Sequence, residues 1–352
     1  MWRISDDDLA APLGAIVDAG VDGRRTVYLL DSQVKEVRRI GVDGSELSPL
    51  GREGEGPGEM MHPALVAGLH GGGCVVVQHF HGPAVCLLED GRSRTAPDLD
   101  LVRDLFGMTV FMGTARSDVR GRLLLVATTT ERSYDPARPD AELGSAMSVF
   151  RITPGDARPD MLFTNSPALG DDRTVRYRGD IGFFPLRSWD VGATGRLIYA
   201  DPDGGYRVLI GHPADGRVES LELAPAPGDE EAITRRARAE RHSADTYPRI
   251  ADVQWVTEEF FLIKPIAAAV GDKLWQTGVF ELFDLNGVSF GRRATSFDYN
   301  PDQDLLFLRG SIMVVIRSGK SAYLASIGVK LDAATAQPDD EIVVEAYDVM
   351  PW

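Results

Sequence analysis

Short apolar runs separated by tight polar turns recur along most of the chain. The run Thr26–Asp31, the run Val37–Ile40 and the dipeptide Asp43-Gly44 form one unit, and a second unit with the same spacing extends from Cys74 to Gly91. Apolar runs of this length that end at Asp-Gly turns are typical of antiparallel β-hairpins. The constant spacing indicates a structural repeat.

Six copies of this unit can be placed along the sequence. The later copies begin at Gly121, Gly195, Phe260 and Leu305, and the third is interrupted by a polar insertion from Thr129 to Ser145. A four-stranded sheet cannot bury both of its faces alone, so such units stack around an axis. We therefore predict an all-β fold, a six-bladed β-propeller of four-stranded antiparallel blades.

The predicted propeller is a single domain that comprises residues 1–352. A ring of this kind closes when the last blade takes a strand from the opposite end of the chain. Two segments can supply the outer strand of the sixth blade, Glu341–Asp348 near the C-terminus or Trp2–Ile4 at the N-terminus. The sequence leaves both options open.

A glycine-rich turn links the first two units, with the sequence Gly51-Arg52-Glu53-Gly54-Glu55-Gly56-Pro57-Gly58-Glu59. So many glycines around one proline favour a shaped turn over a regular element. The segment resembles the turn between blades in bacterial six-bladed β-propellers related to NHL-repeat proteins. This resemblance implies a propeller fold and no particular chemistry, because propellers serve as binding modules, scaffolds and enzymes.

One segment departs from the all-β pattern. A short helical insertion is predicted at about residues 229–244, between blades four and five, with an acidic first turn. Its later turns carry four arginines, Arg235, Arg236, Arg238 and Arg241. The insertion is either a solvated decoration or a basic arm that docks a partner on an acidic body. Trp352 at the chain end either packs on the body or is a further partner contact.

Composition and charge restrict the partners. The chain of 352 residues has 37 basic and 53 acidic residues and a formal net charge of -16. A field of this sign repels phosphate backbones and anionic lipids, so we expect no nucleic acid partner and no direct membrane insertion. Met1–Asp8 lacks the apolar core of a signal peptide. The sequence predicts a cytoplasmic protein, free or peripheral on a membrane complex, whereas a longer natural N-terminus would indicate export.

In propellers of this kind, ligands gather in an axial funnel where the second strands end. The residues at the ends of the predicted second strands are mixed charges and polar groups: Asp31, Gln78, Thr128, Asp201, Lys264 and Arg317. Such a set does not suit a metal ion, and mutual ion pairing is its expected role. His79 and His81 extend the candidate funnel, but a zinc site would need a third histidine from another blade. No cofactor or metal is predicted.

No catalytic motif stands out in the sequence. The chain lacks a Gly-x-Ser-x-Gly elbow, a His-Glu-x-x-His pair and a phosphate-binding Gly-x-x-x-x-Gly-Lys-Ser/Thr loop. Cys74 and Cys86 lie on the two arms of one hairpin, where a disulfide is conceivable. Two buried thiols are the expectation for a chain without an export signal.

The sequence favours a non-enzymatic, rigid propeller scaffold that mediates protein–protein interaction, with other proteins as partners. The expected contact regions are the predicted helix and the insertions Thr129–Ser145 and Ala267–Gly278. A membrane-extrinsic structural subunit of a photosynthetic reaction-centre or light-harvesting assembly is one instance of this class. Two alternatives stay open: a six-bladed propeller enzyme of the lactonase or lyase kind with a funnel site, and an exported ligand-binding propeller.

Overall fold

The computed structural model of the chain describes a defined set of residue ranges. These are residues 2–56, 58–78, 85–89, 92–95, 109–118, 120, 122–131, 144–153, 160–165, 189–200, 205–212, 215–239, 243–245, 247, 249–268, 279–294, 304–319 and 342–349. Within them, almost all regular structure is β-strand.

Six four-stranded antiparallel sheets form the blades of a propeller, which confirms the predicted fold. Blade 1 contains strands β2 to β5, at Ile16–Val21, Val27–Asp31, Glu36–Ile40 and Glu46–Leu50. Blade 2 contains β8 to β11, at Pro63–Gly68, Cys74–Gln78, Val85–Glu89 and Arg92–Thr95. Blade 3 contains β12 to β15, at Thr109–Ser117, Leu123–Glu131, Gly144–Ile152 and Asp160–Asn165.

The second half of the ring repeats this plan. Blade 4 contains β16 to β19, at Trp189–Val191, Leu197–Ala200, Arg207–Gly211 and Val218–Glu222. Blade 5 contains β20 to β23, at Ile250–Trp255, Phe260–Pro265, Val279–Asp284 and Ser289–Ala294. Blade 6 contains β24 and β25, at Leu305–Arg309 and Ile312–Arg317, together with β26 at Val343–Asp348 and β1 at Trp2–Ser5. Short 3-10 helices lie at Asp6–Asp8 and Ile266–Ala268.

Both chain termini close the ring. In blade 6, β26 is the third strand and β1 is the outermost, with Ile4 paired to Val344. Ile4 and Val344 belong to one buried cluster that also contains Ile16 and Leu29 of blade 1. The two segments that competed in the sequence therefore both contribute, because a blade that lacks its third strand cannot hold a fourth.

The hydrophobic core lies between neighbouring blades. One cluster joins Leu30 of blade 1 to Val66 and Val76 of blade 2. Another joins Ile198 of blade 4 to Phe261 of blade 5. The strands alternate inward and outward side chains with period two, so each blade buries apolar residues on both faces only when it has a neighbour on each side.

Two glycines allow the first strands of blades 1 and 2 to approach closely. A Cβ atom on Gly20 would lie 2.8 Å from the backbone nitrogen of Gly68, and one on Gly68 would lie 2.4 Å from the carbonyl carbon of Val21. Any side chain at either position would force the strands apart.

The glycine-rich segment forms the shaped turn that the sequence predicts. Strands β6 (Arg52–Glu53) and β7 (Glu59–Met60) pair in parallel across it, and Gly51, Gly54 and Gly58 adopt positive φ angles of 75°, 148° and 78°. The carboxylate of Glu59 accepts hydrogen bonds from the Gly56 N–H at 2.7 Å and from Arg52 Nε at 2.8 Å. These bonds hold the pKa of Glu59 below its usual range.

The two faces of the ring differ in their connections. On one face, called here the turn face, short connections join the first strand of each blade to the second: 22–26, 69–73, 118–122, 192–196, 256–259 and 310–311. On the other, called the long-connection face, longer connections lead from the fourth strand of one blade to the first strand of the next, and the ones that are largely described are 51–62 and 223–249.

Helix α1 (Asp229–Ala239) belongs to a connection of the long-connection face, between blades 4 and 5. It buries Ile233 and Ala237 against Tyr247 and Ile266. Its arginines Arg235 and Arg238 are exposed, and Arg236 is half-buried. The described helix ends at Ala239, so the predicted end at residue 244 and the candidate Arg241 lie beyond it, with Arg241 outside the described residues.

One local prediction needs correction, and a cysteine pairing that the sequence left open is excluded by the strand register. Strands β13 and β14 extend into the predicted insertion Thr129–Ser145, with Glu131 paired to Gly144. The β-branched run of threonines here favours strand over loop. The hairpin register places Cys74 opposite Leu88 rather than Cys86, and Cys74 is a buried, free cysteine whose pKa is raised by burial.

Replacing Ile4 with alanine is expected to lower the free energy of unfolding by about 2–5 kcal/mol, because the β1 side chain fills the closure cluster. Urea denaturation measures the change. Arg3→Ala in the same strand is the matched control: its side chain is 70% exposed and 3.6 Å from Glu345, so it should cost less than about 1 kcal/mol. Equal effects of the two variants would contradict closure by β1.

Replacing Glu59 with glutamine is expected to lower the melting temperature at pH 7, and the effect should diminish progressively as the pH falls below about 4.3, the usual pKa of a glutamate. The pKa of Glu59 is depressed in the folded protein, so its contribution to stability is present above the unfolded pKa and is lost as the pH falls through the folded value. Thermal melts of both proteins between pH 3 and pH 7 measure this. A difference in melting temperature that is independent of pH would contradict the capping role.

Candidate functional site

Asp18 joins three blades at the propeller axis. It lies in β2 of blade 1 and is 5% exposed. Its Oδ2 accepts a hydrogen bond from the backbone N–H of Val66 in blade 2 at 2.9 Å, and its Oδ1 accepts one from the guanidinium of Arg309 in blade 6. Arg309 also donates to the Ala19 carbonyl oxygen. One carboxylate therefore connects blades 6, 1 and 2.

Asp190 makes the same contacts on the other side of the ring. It lies in β16 of blade 4 and is 1% exposed. Its Oδ2 accepts a hydrogen bond from the backbone N–H of Trp255 in blade 5 at 2.9 Å, and its Oδ1 accepts one from Arg116 Nη2 of blade 3 at 2.7 Å. This carboxylate connects blades 3, 4 and 5.

We call each of these arrangements an axial relay: an arginine, an aspartate on the next blade, and a backbone N–H on the blade after that. The relays begin three blades apart, so together they include all six blades. Burial lowers the pKa of Arg309, and the charge of Arg116 lowers it further, against the attraction of Asp18 and Asp190. The four charges are therefore close enough to influence one another at the axis.

Blade 5 adds a third polar group to the axis. Asp252 Oδ2 lies 2.8 Å from Gln254 Nε2 and 3.5 Å from Lys264 Nζ. The Lys264 ammonium also lies 5.4 Å from the centre of the Phe280 ring. This predicted funnel residue thus has a carboxylate and an aromatic face as neighbours.

Asp31 and Gln78 accept hydrogen bonds from backbone N–H groups of nearby connecting segments. The buried Asp31 carboxylate accepts hydrogen bonds from the backbone N–H groups of Gly14 at 2.7 Å and Gln33 at 3.0 Å. Gln78 Oε1 accepts one from the Met61 N–H at 2.7 Å and so fixes the strand that follows the glycine-rich turn. Both side chains hold backbone in place, which is a structural use of residues at these strand ends.

Arg317 has two carboxylate partners. It donates to Glu345 Oε2 from Nε at 2.9 Å and from Nη2 at 2.8 Å, and to Asp304 Oδ2 from Nη1 at 3.0 Å. Although burial opposes the charge, these hydrogen bonds raise the pKa of Arg317. The predicted mutual ion pairing within the set is not seen among the described residues, because Lys264 and Arg317 pair with carboxylates that lie outside it.

The remaining candidate site residues lie outside the described part of the chain. They are His79, His81, Asp201, Arg241 and Trp352. Within the described ranges, no three His, Cys, Asp or Glu side chains are grouped to hold a metal ion. No described helix is long and apolar enough to cross a membrane.

The sequence does indicate the axial relays, through charged residues in apolar first strands, although these residues match no catalytic motif. Asp18 and Asp190 each interrupt an apolar first strand, and Arg309 ends another. A charge inside an innermost strand must meet a partner at the axis, because a buried charge without one is costly. Which partner it meets depends on residues far away in the sequence.

No protein-family model matches the chain, and no curated protein matches it in sequence. The structure is similar to virginiamycin B lyase from Staphylococcus aureus, at 8% identity and a TM-score of 0.44 over 97% of both chains. It is also similar to a luciferin-regenerating enzyme, at 11% sequence identity and a TM-score of 0.46, over 97% of this chain and 94% of the other. A third structure, YCF48 bound to D1 peptide, matches at 10% sequence identity and a TM-score of 0.46, over 90% of this chain and 77% of the other.

These similarities concern the propeller fold, and nothing at the sequence level supports membership of the NHL-repeat proteins. The prediction that the chain is not an enzyme is contradicted by the comparison, because two of these propellers are enzymes by name. The lack of catalytic motifs in the sequence therefore does not exclude catalysis. At such identities the similarity assigns no reaction to this chain.

Replacing Asp18 with alanine is expected to lower the free energy of unfolding by about 3–5 kcal/mol, because Arg309 then stays buried without its carboxylate. Asp160→Ala is the matched control, since Asp160 also contacts an arginine, Arg151, but is 58% exposed; it should cost less than about 1 kcal/mol. Chemical denaturation measures both. A small loss for Asp18→Ala would show that the relay does not brace the ring.

Proposed function

We propose that this chain is a protein-binding propeller that receives its partner on the long-connection face. The observation that carries this proposal is an asymmetry among the described connections, in which one face has tight turns and the other has the glycine-rich turn at 51–62 and the helical connection at 223–249. Loops positioned on a rigid scaffold are where binding surfaces concentrate. A rigid support also reduces the entropy lost on association.

Helix α1 is the described part of that face best suited to contact a partner. Its buried residues Ile233 and Ala237 fix it to the body. Arg292 of blade 5 clamps its start, with hydrogen bonds of 2.8 and 2.7 Å to the two carboxylate oxygens of Asp229. The exposed Arg235 and Arg238 therefore project from a firmly held helix, and arginine is favoured at protein interfaces.

The partner we propose is a protein with an acidic contact segment that meets the later turns of α1, where Arg235 and Arg238 are exposed, whereas the exposed Glu230 and Glu231 lie in its first turn. On a chain of net charge -16, two neighbouring arginines orient an approaching acidic segment towards this end of the helix. A partner that is a subunit of a membrane complex, bound from a cytoplasmic position, is part of the same proposal and is separated from a water-soluble partner by the experiment below.

Affinity purification of the tagged chain from its own cells, in mild detergent and followed by mass spectrometry, is expected to recover a stoichiometric protein partner. Arg235→Glu combined with Arg238→Glu should reduce its recovery at least about tenfold, because two attractive charges become repulsive. Recovery of integral membrane polypeptides would identify a membrane complex, and recovery of water-soluble ones would identify a free partner.

Arg24→Glu combined with Arg120→Glu is the control. Both residues are exposed and lie in connections of the turn face, so this double variant changes the net charge equally on the opposite side of the ring. It should recover the partner as the unmodified chain does. Equal losses in both double variants would contradict docking at α1, and the absence of any stoichiometric protein would contradict the proposed function.

A further inference from the structure

The junctions between neighbouring blades, called seams here, differ in how they are held. Among the described residues, four of them are crossed by the hydrogen bonds of two buried aspartates. Asp18 crosses seams 6/1 and 1/2, and Asp190 crosses seams 3/4 and 4/5. At seam 1/2, the Gly73 N–H also donates to the Tyr28 hydroxyl at 3.0 Å. The two axial relays therefore divide the ring into two braced halves, blades 6-1-2 and blades 3-4-5.

Seam 4/5 is the most strongly held of these. Glu258 of blade 5 accepts hydrogen bonds from the Thr194 N–H at 2.9 Å and from Arg196 Nη2 at 2.8 Å, both in blade 4. The hydroxyl of Tyr206 lies 3.4 Å from Glu281. Breaking this seam would expose several charged hydrogen bonds at once, which makes it resistant to local opening.

The braced halves meet at seams 2/3 and 5/6. At seam 2/3, the Ser117 hydroxyl donates to the Gly68 carbonyl oxygen. Seam 5/6 is closed by an apolar cluster in which Leu262 and Leu282 of blade 5 pack on Leu308 and Val315 of blade 6. Apolar contacts are non-directional and tolerate sliding more readily than aligned charged hydrogen bonds do.

One further feature weakens seam 5/6. A narrow cleft with no space for a water molecule lies there, lined by Lys264, Phe280 and Leu308 among others. Gln254 Oε1, also on this cleft, is buried without a hydrogen-bond partner among the described residues. A buried acceptor without a partner already carries the free-energy cost of its lost hydrogen bond to water, so local opening at this place costs less than at a fully paired site.

We infer that seam 5/6 is where the closed ring opens, with blades 6-1-2 and 3-4-5 moving as two braced halves. Opening exposes the apolar cluster of seam 5/6 while each blade keeps its own strand pairing. The motion needs no unfolding of a sheet, because the hydrogen bonds that it leaves intact lie within the halves. It also places the moving seam beside Lys264 of blade 5, whereas α1 is held at seam 4/5.

Thiol labelling of buried cysteines tests this inference in the full-length chain. In a background with Cys74→Ala and Cys86→Ala, Val315→Cys reports on seam 5/6 and Val76→Cys reports on seam 1/2. Both valines are 0% exposed and lie in second strands. Labelling by a disulfide reagent under native conditions should be at least about tenfold faster at position 315, with a weak dependence on urea that indicates local opening.

Equal rates, or faster labelling at position 76, would overturn the inference, as would a steep urea dependence that is the same at both sites. Cys74 belongs to the cluster of seam 1/2, so its removal loosens the control and works against the expected result. If either valine variant fails to fold, Leu308→Cys and Leu30→Cys form a second pair on the same two seams, with the same expected order of rates.

Discussion

A four-stranded blade has two apolar faces, and only another blade can cover them. This constraint governs the whole ring, because every blade depends on two neighbours and the last must meet the first. The closure cluster contains Ile4 and Val344 beside Ile16, residues from both ends of the chain. Directional contacts then fix how the blades are aligned, and the buried Asp18 and Asp190 supply them at the axis.

The backbone N–H groups in the turn after the first strand find their acceptors in different ways around the ring. In blades 1 and 3, Asp22 and Asp118 cap the turn after the first strand through backbone N–H groups of their own blade. Blade 4 has Gly192 at the corresponding position, and Glu258 of blade 5 reaches across to bind Thr194 instead. The turn of blade 4 is therefore capped by a residue of the next blade, and this contact is a further hydrogen-bonded link across seam 4/5.

The repeat was predictable from the sequence because strands and tight turns are encoded locally. The closure and the relays were not, since they join residues such as Asp18 and Arg309 that only the finished ring brings together. Asp31 and Gln78 were placed at strand ends correctly, but their hydrogen bonds to loop backbone depend on loop shape, which no pattern encodes. Periodicity predicts the position of a residue within a strand, but it does not predict which residues its side chain contacts.

The position of α1 depends on a buried polar network as well as on the apolar residues of the helix. Arg292 donates hydrogen bonds to both Asp229 and Glu281. These bonds raise the pKa of Arg292 above its usual range, and those to Asp229 contribute most. Tyr206 of blade 4 completes the network, so the helix is fixed to both blades of seam 4/5. Because a network of this kind is favourable only when every member is satisfied, it specifies one helix position. A partner bound to α1 would therefore contact the ring at seam 4/5, which several charged hydrogen bonds cross.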